Sequence, residues 1–407
     1  MLFRIEEKMI ESSQRNNLVN ILKIFIYILL LLPFFKVPYL TYLYPSLTII
    51  YNIFLFLSAI TLVILTILKK RISKIIVLIS LFMILVLFST IINNGSYYSA
   101  IINVITVLTL SLLVDFGINY DLKPFLNAFE FFLFFLVLVN FLTIVIYPNG
   151  LYPSISDGFR TMSNWFLGYK NNHILFIMPS ILISLINSYL KSNHMRLKDY
   201  LLIIISILTL VLNKSSTGIV GIALIIFMIA ITSLVKDGKL LNIVSYFIAY
   251  IISFFSIVIF RIQNVFYYLI VEVLHKDITF TGRTYIWDYV MEFIKEKPLF
   301  GYGIEDSIYR LNKTAYWRSY HAHDQILEVI YKTGFIGLFF YFEIIINSII
   351  ELFKYRSNRI SQIISIVLFS YFIMMITEAY SFDNIIYLFV IGYNVKVFIN
   401  NKEELQA

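Results

Sequence analysis

A chain of 407 residues has the length of two soluble domains, but 60% of its residues are hydrophobic and only 14% are charged; with a mean hydropathy of +0.84, an ordinary water-soluble globule is excluded. The formal charge of +8 invites a nucleic-acid reading, yet no cluster of Lys and Arg is interleaved with exposed aromatics on a polar segment, so nucleic acid is not expected as a partner. The absence of cysteine rules out disulfides, a thiolate nucleophile and a Cys-ligated metal.

Residues 1–17 are polar and of mixed charge, and the apolar run that follows ends in "PFFKVPYL". No small-x-small cleavage pattern is present, so this run reads as a first span and not as a removed signal peptide. From there the apolar residues come in runs of about 18 to 24, the length a helix rising 1.5 Å per residue needs to cross about 30 Å of hydrocarbon. A β-barrel would show alternation over about ten residues per strand instead. The expected fold is an all-α polytopic membrane protein with twelve spans: 18–36, 45–68, 75–92, 100–118, 125–147, 173–190, 199–213, 217–235, 242–260, 334–353, 361–378 and 383–399. The seventh is short.

Lys and Arg in short loops resist translocation and so fix orientation. Arg4, Lys8 and Arg15, "KKRISK" at 69–74, "KSNHMRLK" at 191–198, "VKDGK" at 235–239 and "KYRSNR" at 354–359 all fall on one side if there are twelve spans. That side is expected to be the cytoplasm, with both termini there and the protein in a bacterial plasma (inner) membrane. The outer side receives the loop 148–172, "NKSSTG" and a long segment, 261–333, whose length lets it translocate regardless of charge. The organisation is then a bundle of nine spans (1–260), one large external loop (261–333) and three C-terminal spans (334–407).

Chemistry is expected in the external segments. Within 261–333, "NVFYYLIVEVL" is too short to span and is expected to lie at the interface or dip back. In "TGRTYIWDYVMEFIKEKPLFGYG", Ile286, Val290, Phe293 and Ile294 form the stripe of an amphipathic helix. Thr281 or Thr284 can cap its start, and Pro298, Gly301 and Gly303 end it. Arg283 then sits at a helix N-terminus, where free N–H groups and a guanidinium together suit a phosphate or diphosphate. Pairing with Asp277 or with lipid headgroups is the plainer alternative.

The stretch "SYHAHDQILEVIYKTGFIGL", 319–338, carries two of the five histidines. With Asp324 as N-cap, a helix starts at Gln325 and leaves His321 and His323 in the loop before it. With an earlier start, His321, Asp324, Gln325, Glu328 and Lys332 share one polar stripe and His323 points elsewhere. A loop histidine at the membrane face has a pKa suited to a general base; the plainer reading is a solvated imidazole. His-x-His-Asp could also hold a metal, but zinc wants three or four ligands and the rest of the loop offers no partner motif. Arg160 and Lys170, in "SDGFRTMSNWFLGYKNNH", form a second cationic stretch. Glu343 is the charge nearest the middle of a span, either on an ion path or bonded to a neighbouring helix, whereas Asp115 and Glu130 lie near cytoplasmic ends.

In order, "GFRTMSNWFLGYKNNHI", "SSTGIVGIAL", "TGRTYIWDYVMEFIKEKPLFGYG" and "HAHDQILEVIYKTGFIGL" resemble the blocks of the O-antigen ligase and polymerase superfamily. Its Wzy-type branch links lipid-carried oligosaccharide units outside the plasma membrane. The resemblance implies a glycosyltransferase in which Arg160 and Arg283 hold the diphosphate of an undecaprenyl-pyrophosphate-linked donor and His323 assists the acceptor hydroxyl. His321, Lys170, Asp324, Thr281, Gly282 and Trp287 are implied around the substrate. Asp324 stands where Asn is usual, and a charged Asp there would raise the imidazole pKa and weaken His323 as a base. No Asp-x-Asp pair occurs in the external loops, which agrees with a reaction needing no metal or other cofactor and argues against a nucleotide-sugar transferase. Partners implied are the glycan donor and acceptor, the bilayer, a chain-length regulator and a flippase. A ligase moving a finished glycan to another acceptor is the rival within the family; a lipid-linked oligosaccharide flippase or transporter is the rival outside it.

Overall fold

The computed structural model describes residues 2–156, 160–235, 240–273, 277–313 and 319–406, without the side chains of 2–16, 154–161, 266, 269–270 and 402–406. Long apolar runs become helices because a backbone surrounded by hydrocarbon must satisfy every N–H and C=O within its own segment. In chain order these are α1 (Leu2–Leu31), a short α2 (Pro38–Leu43), α3 (Leu47–Lys69), α4 (Lys74–Ile92), α5 (Tyr97–Tyr120) and α6 (Leu122–Ile146). After a small sheet come α7 (Ile174–Ser192), α8 (Leu197–Leu212), α9 (Ser216–Leu234), α10 (Ile243–Ser253), α11 (Arg283–Glu296) and α12 (Ser307–Lys313). The chain closes with α13 (Gln325–Lys354), α14 (Arg359–Met374), α15 (Phe382–Tyr393) and α16 (Val395–Gln406).

Each of the twelve expected spans coincides with a helix, but not all have spanning length. Among the described residues, seven helical segments are long and apolar enough to cross a membrane, or eight if α15 and α16, bent by 48°, count as one span. Asn17–Leu31, Ile243–Ile259 and Arg359–Met374 are shorter apolar helices, and α8 has only 16 residues. Polytopic all-α architecture therefore holds, while the count of twelve does not follow from helix length. The apolar window of α7 is 89% buried and that of α3 only 22%, so α7 lies at the centre of the bundle and α3 on its rim. Around α7 pack α6 and α14; α13 packs on α4, α15 and α11.

The segment expected as a plain loop, 148–172, instead folds into a three-stranded antiparallel sheet of β1 (Tyr152–Ser156), β2 (Arg160–Trp165) and β3 (Gly168–Tyr169), with Asn164 opposite Tyr152 and Tyr169. Arg-Thr-Met-Ser-Asn-Trp has no period-2 alternation and is short, so no strand stands out beside the apolar runs. Trp165 anchors it by donating to the Tyr147 carbonyl at 2.8 Å.

The helix α13 is broken at Gly334 (φ 65°, ψ −171°). The break frees carbonyls and N–H groups that must find partners, and "PLFGYG" supplies them. Tyr302 and Gly303 N–H groups donate to the Tyr331 and Lys332 carbonyls at 2.8 Å each, while Phe335 and Ile336 N–H groups donate to the Pro298 and Leu299 carbonyls at 2.8 and 3.3 Å. A Cβ on Gly301 would come 2.4 Å from the Tyr331 oxygen, and one on Gly334 would come 2.1 Å from the Leu299 oxygen. Both glycines are required by this close backbone approach and their positive φ. The two motifs, 30 residues apart in sequence, thus form one joint that fixes the end of α11 against α13.

Candidate functional site

The apolar stripe of α11 places Arg283. Ile286, Trp287, Val290 and Ile294 are buried and Phe293 is partly buried, so the helix lies with its first turn facing the 319–324 loop. Neither threonine caps it. Gly282, in the left-handed region (φ 86°), is the N-cap without a side-chain bond; the turn before it is held by Asp277, which accepts from the Thr281 N–H at 2.9 Å, and by Thr279, which accepts from the Gly282 N–H at 2.9 Å. Hydrogen bonds from the Thr279 hydroxyl and backbone hold the Asp277 carboxyl below the usual range. Asp277 is thus engaged in its own turn, and Arg283 turns elsewhere.

Its partner is Glu378, on the loop between α14 and α15: Arg283 Nη2 lies 2.5 Å from Glu378 Oε1. The same carboxylate faces His323, with Nδ1 3.5 Å from Oε2, and receives the Asn171 side-chain amide at 3.4 Å. The Asn171 carbonyl in turn accepts from the Ser215 hydroxyl at 3.4 Å, and Lys170 donates to the Lys214 carbonyl at 3.3 Å. Three segments separate in sequence therefore converge on Glu378, and Ser215 joins them through Asn171. Burial alone would raise its carboxyl pKa, but the adjacent His323 imidazole and Arg283 guanidinium hold it below the usual range.

The histidines occupy the loop, and α13 starts at Gln325 as the N-cap reading requires: Asp324 Oδ1 accepts from the Leu327 N–H at 2.8 Å. The His321 and His323 rings lie 4.1 Å apart. His321 Nδ1 accepts from the His323 backbone N–H at 3.2 Å, and Trp287 Nε1 donates to the His323 carbonyl at 3.3 Å. Trp287 is fully buried, so it serves the site by holding His323. Burial and then the neighbouring His323 push His321 down to about 3. Asp324 is fully buried and its Oδ2 has no partner. Burial pushes its carboxyl well above the usual range. That direction favours the neutral acid, which at this N-cap presents nearly what Asn would.

Below the loop, Arg310 of α12 makes a two-pronged bond to Glu328 at 2.8 and 2.7 Å, both side chains being buried. Lys332 adds a contact to Glu328 at 2.9 Å, and the Ala322 N–H donates to Glu328 Oε2 at 2.8 Å. This network ties the histidine loop to α12 and α13. His321, His323 and Glu378 could bring three donor atoms within 4.8 Å of one another, but the set does not fit a metal. Arg283 already occupies the carboxylate with positive charge, and His321 Nδ1, as an acceptor, leaves the proton on Nε2.

Of the residues expected from sequence, Arg283, His321, His323, Asp324 and Trp287 come together, with Gly282 and Thr281 in the turn that precedes Arg283. Lys170 reaches the 213–218 turn, not Glu378. Arg160 lies in β2 opposite Ser156, and its side chain falls outside the described residues. Glu343 accepts from Asn347 one turn along its own helix, at 3.3 Å, a local bond that differs from the neighbouring-helix alternative. Sequence reasoning missed Glu378, Asn171 and the Arg310–Glu328 pair. An acidic residue at the end of a span, in "ITEAYS", was the one available signal for the first.

Two comparisons with known proteins give matches over part of the chain. Residues 201–342 match the family model described as O-Antigen ligase (Wzy_C). The chain is also 36% identical over 80 residues to the exopolysaccharide production protein ExoQ of Rhizobium meliloti (strain 1021), an alignment covering 17% of this chain and 18% of that protein. On the family match, the resemblance to the O-antigen ligase/polymerase superfamily holds across residues 201–342, which include Arg283, Trp287, His321, His323 and Asp324.

Proposed function

We propose that this multi-pass membrane protein is a glycosyltransferase of surface-polysaccharide assembly that polymerises undecaprenyl-pyrophosphate-linked repeat units at the outer face of the bacterial plasma membrane. The observation that carries the reading is the convergence on one carboxylate of Arg283, at a helix N-terminus, and His323, both of which lie inside the span that matches the O-antigen ligase family. A sugar hydroxyl attacks the anomeric carbon, and the lipid diphosphate leaves with the bonding electron pair. Departure is assisted when the growing charge meets preorganised donors, which the Arg283 guanidinium at the start of α11 supplies. Arg160 is the second expected clamp. His323 takes the hydroxyl proton. A metal has no required part in this scheme, and the distinctive charges gather at the 261–333 segment instead of midway along spans, which favours an enzyme over a carrier.

Under this reading residues 1–260 and 334–407 form the membrane bundle, 261–333 is extracytoplasmic, and both termini are cytoplasmic. A flippase would deliver the substrate and a chain-length regulator would set its final size. The test uses purified protein in nanodiscs with a lipid-linked repeat, chelator, and no nucleotide sugar. A ladder of longer lipid-linked glycans is expected. One transfer to a different acceptor without a ladder would make it a ligase; no transfer, with movement of the lipid across the bilayer, would make it a carrier.

A further inference from the structure

Glu378 belongs to no block that carried the sequence resemblance, lies outside the family-matched span, and sits 55 residues beyond His323 in the chain. Its carboxylate nevertheless faces both groups on which the proposed reaction depends. Oε1 is bound by Arg283 at 2.5 Å, and Oε2 is the acceptor nearest His323 Nδ1, at 3.5 Å. His323 Nδ1 is buried and has no hydrogen-bond partner. An imidazole left this way has one carboxylate in front of it, slightly too far for a formed bond, and such bonds are often long in a site without substrate and tighten during reaction. The main chain of His323 is fixed from two directions, because its backbone N–H is held by His321 and its carbonyl by Trp287.

We propose that Glu378 is the positioning residue for His323: it accepts the Nδ1–H, fixes the tautomer that leaves the Nε2 lone pair free, and stabilises the imidazolium formed when Nε2 takes the acceptor proton. This inference rests on the glycosyl-transfer reading above. The acceptor oxygen forms its bond to the anomeric carbon, the bond from that carbon to the diphosphate oxygen breaks, and the electron pair leaves with the diphosphate beside Arg283. The hydroxyl proton passes to Nε2 and then to solvent, so Glu378 is never protonated in the cycle. The arrangement follows the logic by which a buried carboxylate orients a catalytic histidine in unrelated folds. One side chain thereby sets both the diphosphate clamp and the base. The charged and titratable groups facing the pair are Arg283 from α11, His321 from the same loop and Tyr380 from the loop that carries Glu378, with Glu328 of α13 and Arg310 of α12 behind His321.

The test pairs a structural readout with a kinetic one in full-length protein. Imidazole nitrogens labelled with 15N, assigned by loss of signal in His323→Asn, report the tautomer in nanodiscs without any turnover. Wild type is expected to show His323 protonated at Nδ1, and Glu378→Ala a mixture of tautomers. In the elongation assay, Glu378→Gln, which keeps size and hydrogen bonding, is expected to slow chain growth by at least about 100-fold. The acid side of its pH–rate profile should move down by about one unit, since the imidazolium has lost its carboxylate. Glu378→Asp should recover part of the rate. An unchanged tautomer in Glu378→Ala, a wild-type rate in Glu378→Gln, or a slowed variant with an unmoved profile would each overturn the assignment. If wild type transfers no glycan, the glycosyl-transfer reading fails by itself, and the tautomer measurement still decides whether Glu378 positions His323.

Discussion

At the scale of single residues, the proposed chemistry turns on charge placed where it forms or disappears. Replacing Arg283 by Ala removes one guanidinium from the leaving diphosphate and should slow elongation by about 10² to 10³-fold, with the protein still inserted and abundant and single lipid-linked repeats accumulating in cells. Normal long polymer in that variant would defeat the clamp. The histidines separate by geometry: His323 faces Glu378, whereas His321 accepts a backbone N–H and braces its neighbour. His323→Ala should therefore cost far more polymer than His321→Ala, and the reverse ranking would reassign the base. His321 also gives the loop a pH dependence. Its folded pKa, pushed down to about 3 by burial and by His323, lies below the ordinary value of about 6.5. The unfolded loop thus binds more protons between those values, and the folded loop loses stability as pH falls from about 6.5 toward 3. Protection of the amides across 319–324, taken relative to the intrinsic exchange rate at each pH, should fall between pH 7 and pH 4.5, and His321→Gln should flatten that change.

At the scale of elements, two joints hold the site. The first is the exchange of backbone bonds between "PLFGYG" and the broken turn of α13, where Gly301 and Gly334 leave no room for a side chain. Gly334→Ala forces a Cβ into the Leu299 carbonyl, and since no flexible side chain can give way there, the joint must open; folded yield from detergent is expected to drop sharply. The second is the buried Arg310–Glu328 pair. Arg310→Ala strands a buried carboxylate and should cost about 3 to 5 kcal/mol, read as a lowered unfolding midpoint in detergent. A double variant, Arg310→Met with Glu328→Met, removes both charges and should regain much of that loss. A double variant no better than Arg310→Ala would show that the geometry, and not the unpaired charge, sets the cost.

At the scale of the whole molecule, the testable quantity is sidedness. The chain has no cysteine, so single cysteines report topology directly. Cysteines at the exposed positions Tyr309 and Lys295 should react with a membrane-impermeant thiol reagent in intact cells, and cysteines near either terminus should not. Labelling of 261–333 only after the cells are opened would remove the premise that diphosphate is handled outside. Seven or eight helices meet the length needed to cross, and the remaining short ones make this experiment the arbiter of the count of twelve.

The sequence by itself determined the solvent, the helical class and the position of nearly every helix, because hydropathy runs and helix rise are local properties that need no knowledge of the rest of the chain. It also placed Arg283 at a helix start and offered Asp324 as one of two readings of the next start, since caps and stripes act within a few residues. Only the tertiary structure decided what those groups face. Glu378, Asn171 and Ser215 reach the site through loops separated by whole spans, and no periodicity relates residue 378 to residues 283 and 323. The same distance hid the purpose of the glycines: each motif reads alone as a helix stop or a kink, and only their contact shows two chain segments completing one another's backbone bonds. Asp324 is the sharpest case, because its letter in the sequence implies a charge, whereas burial in the bundle favours the neutral acid.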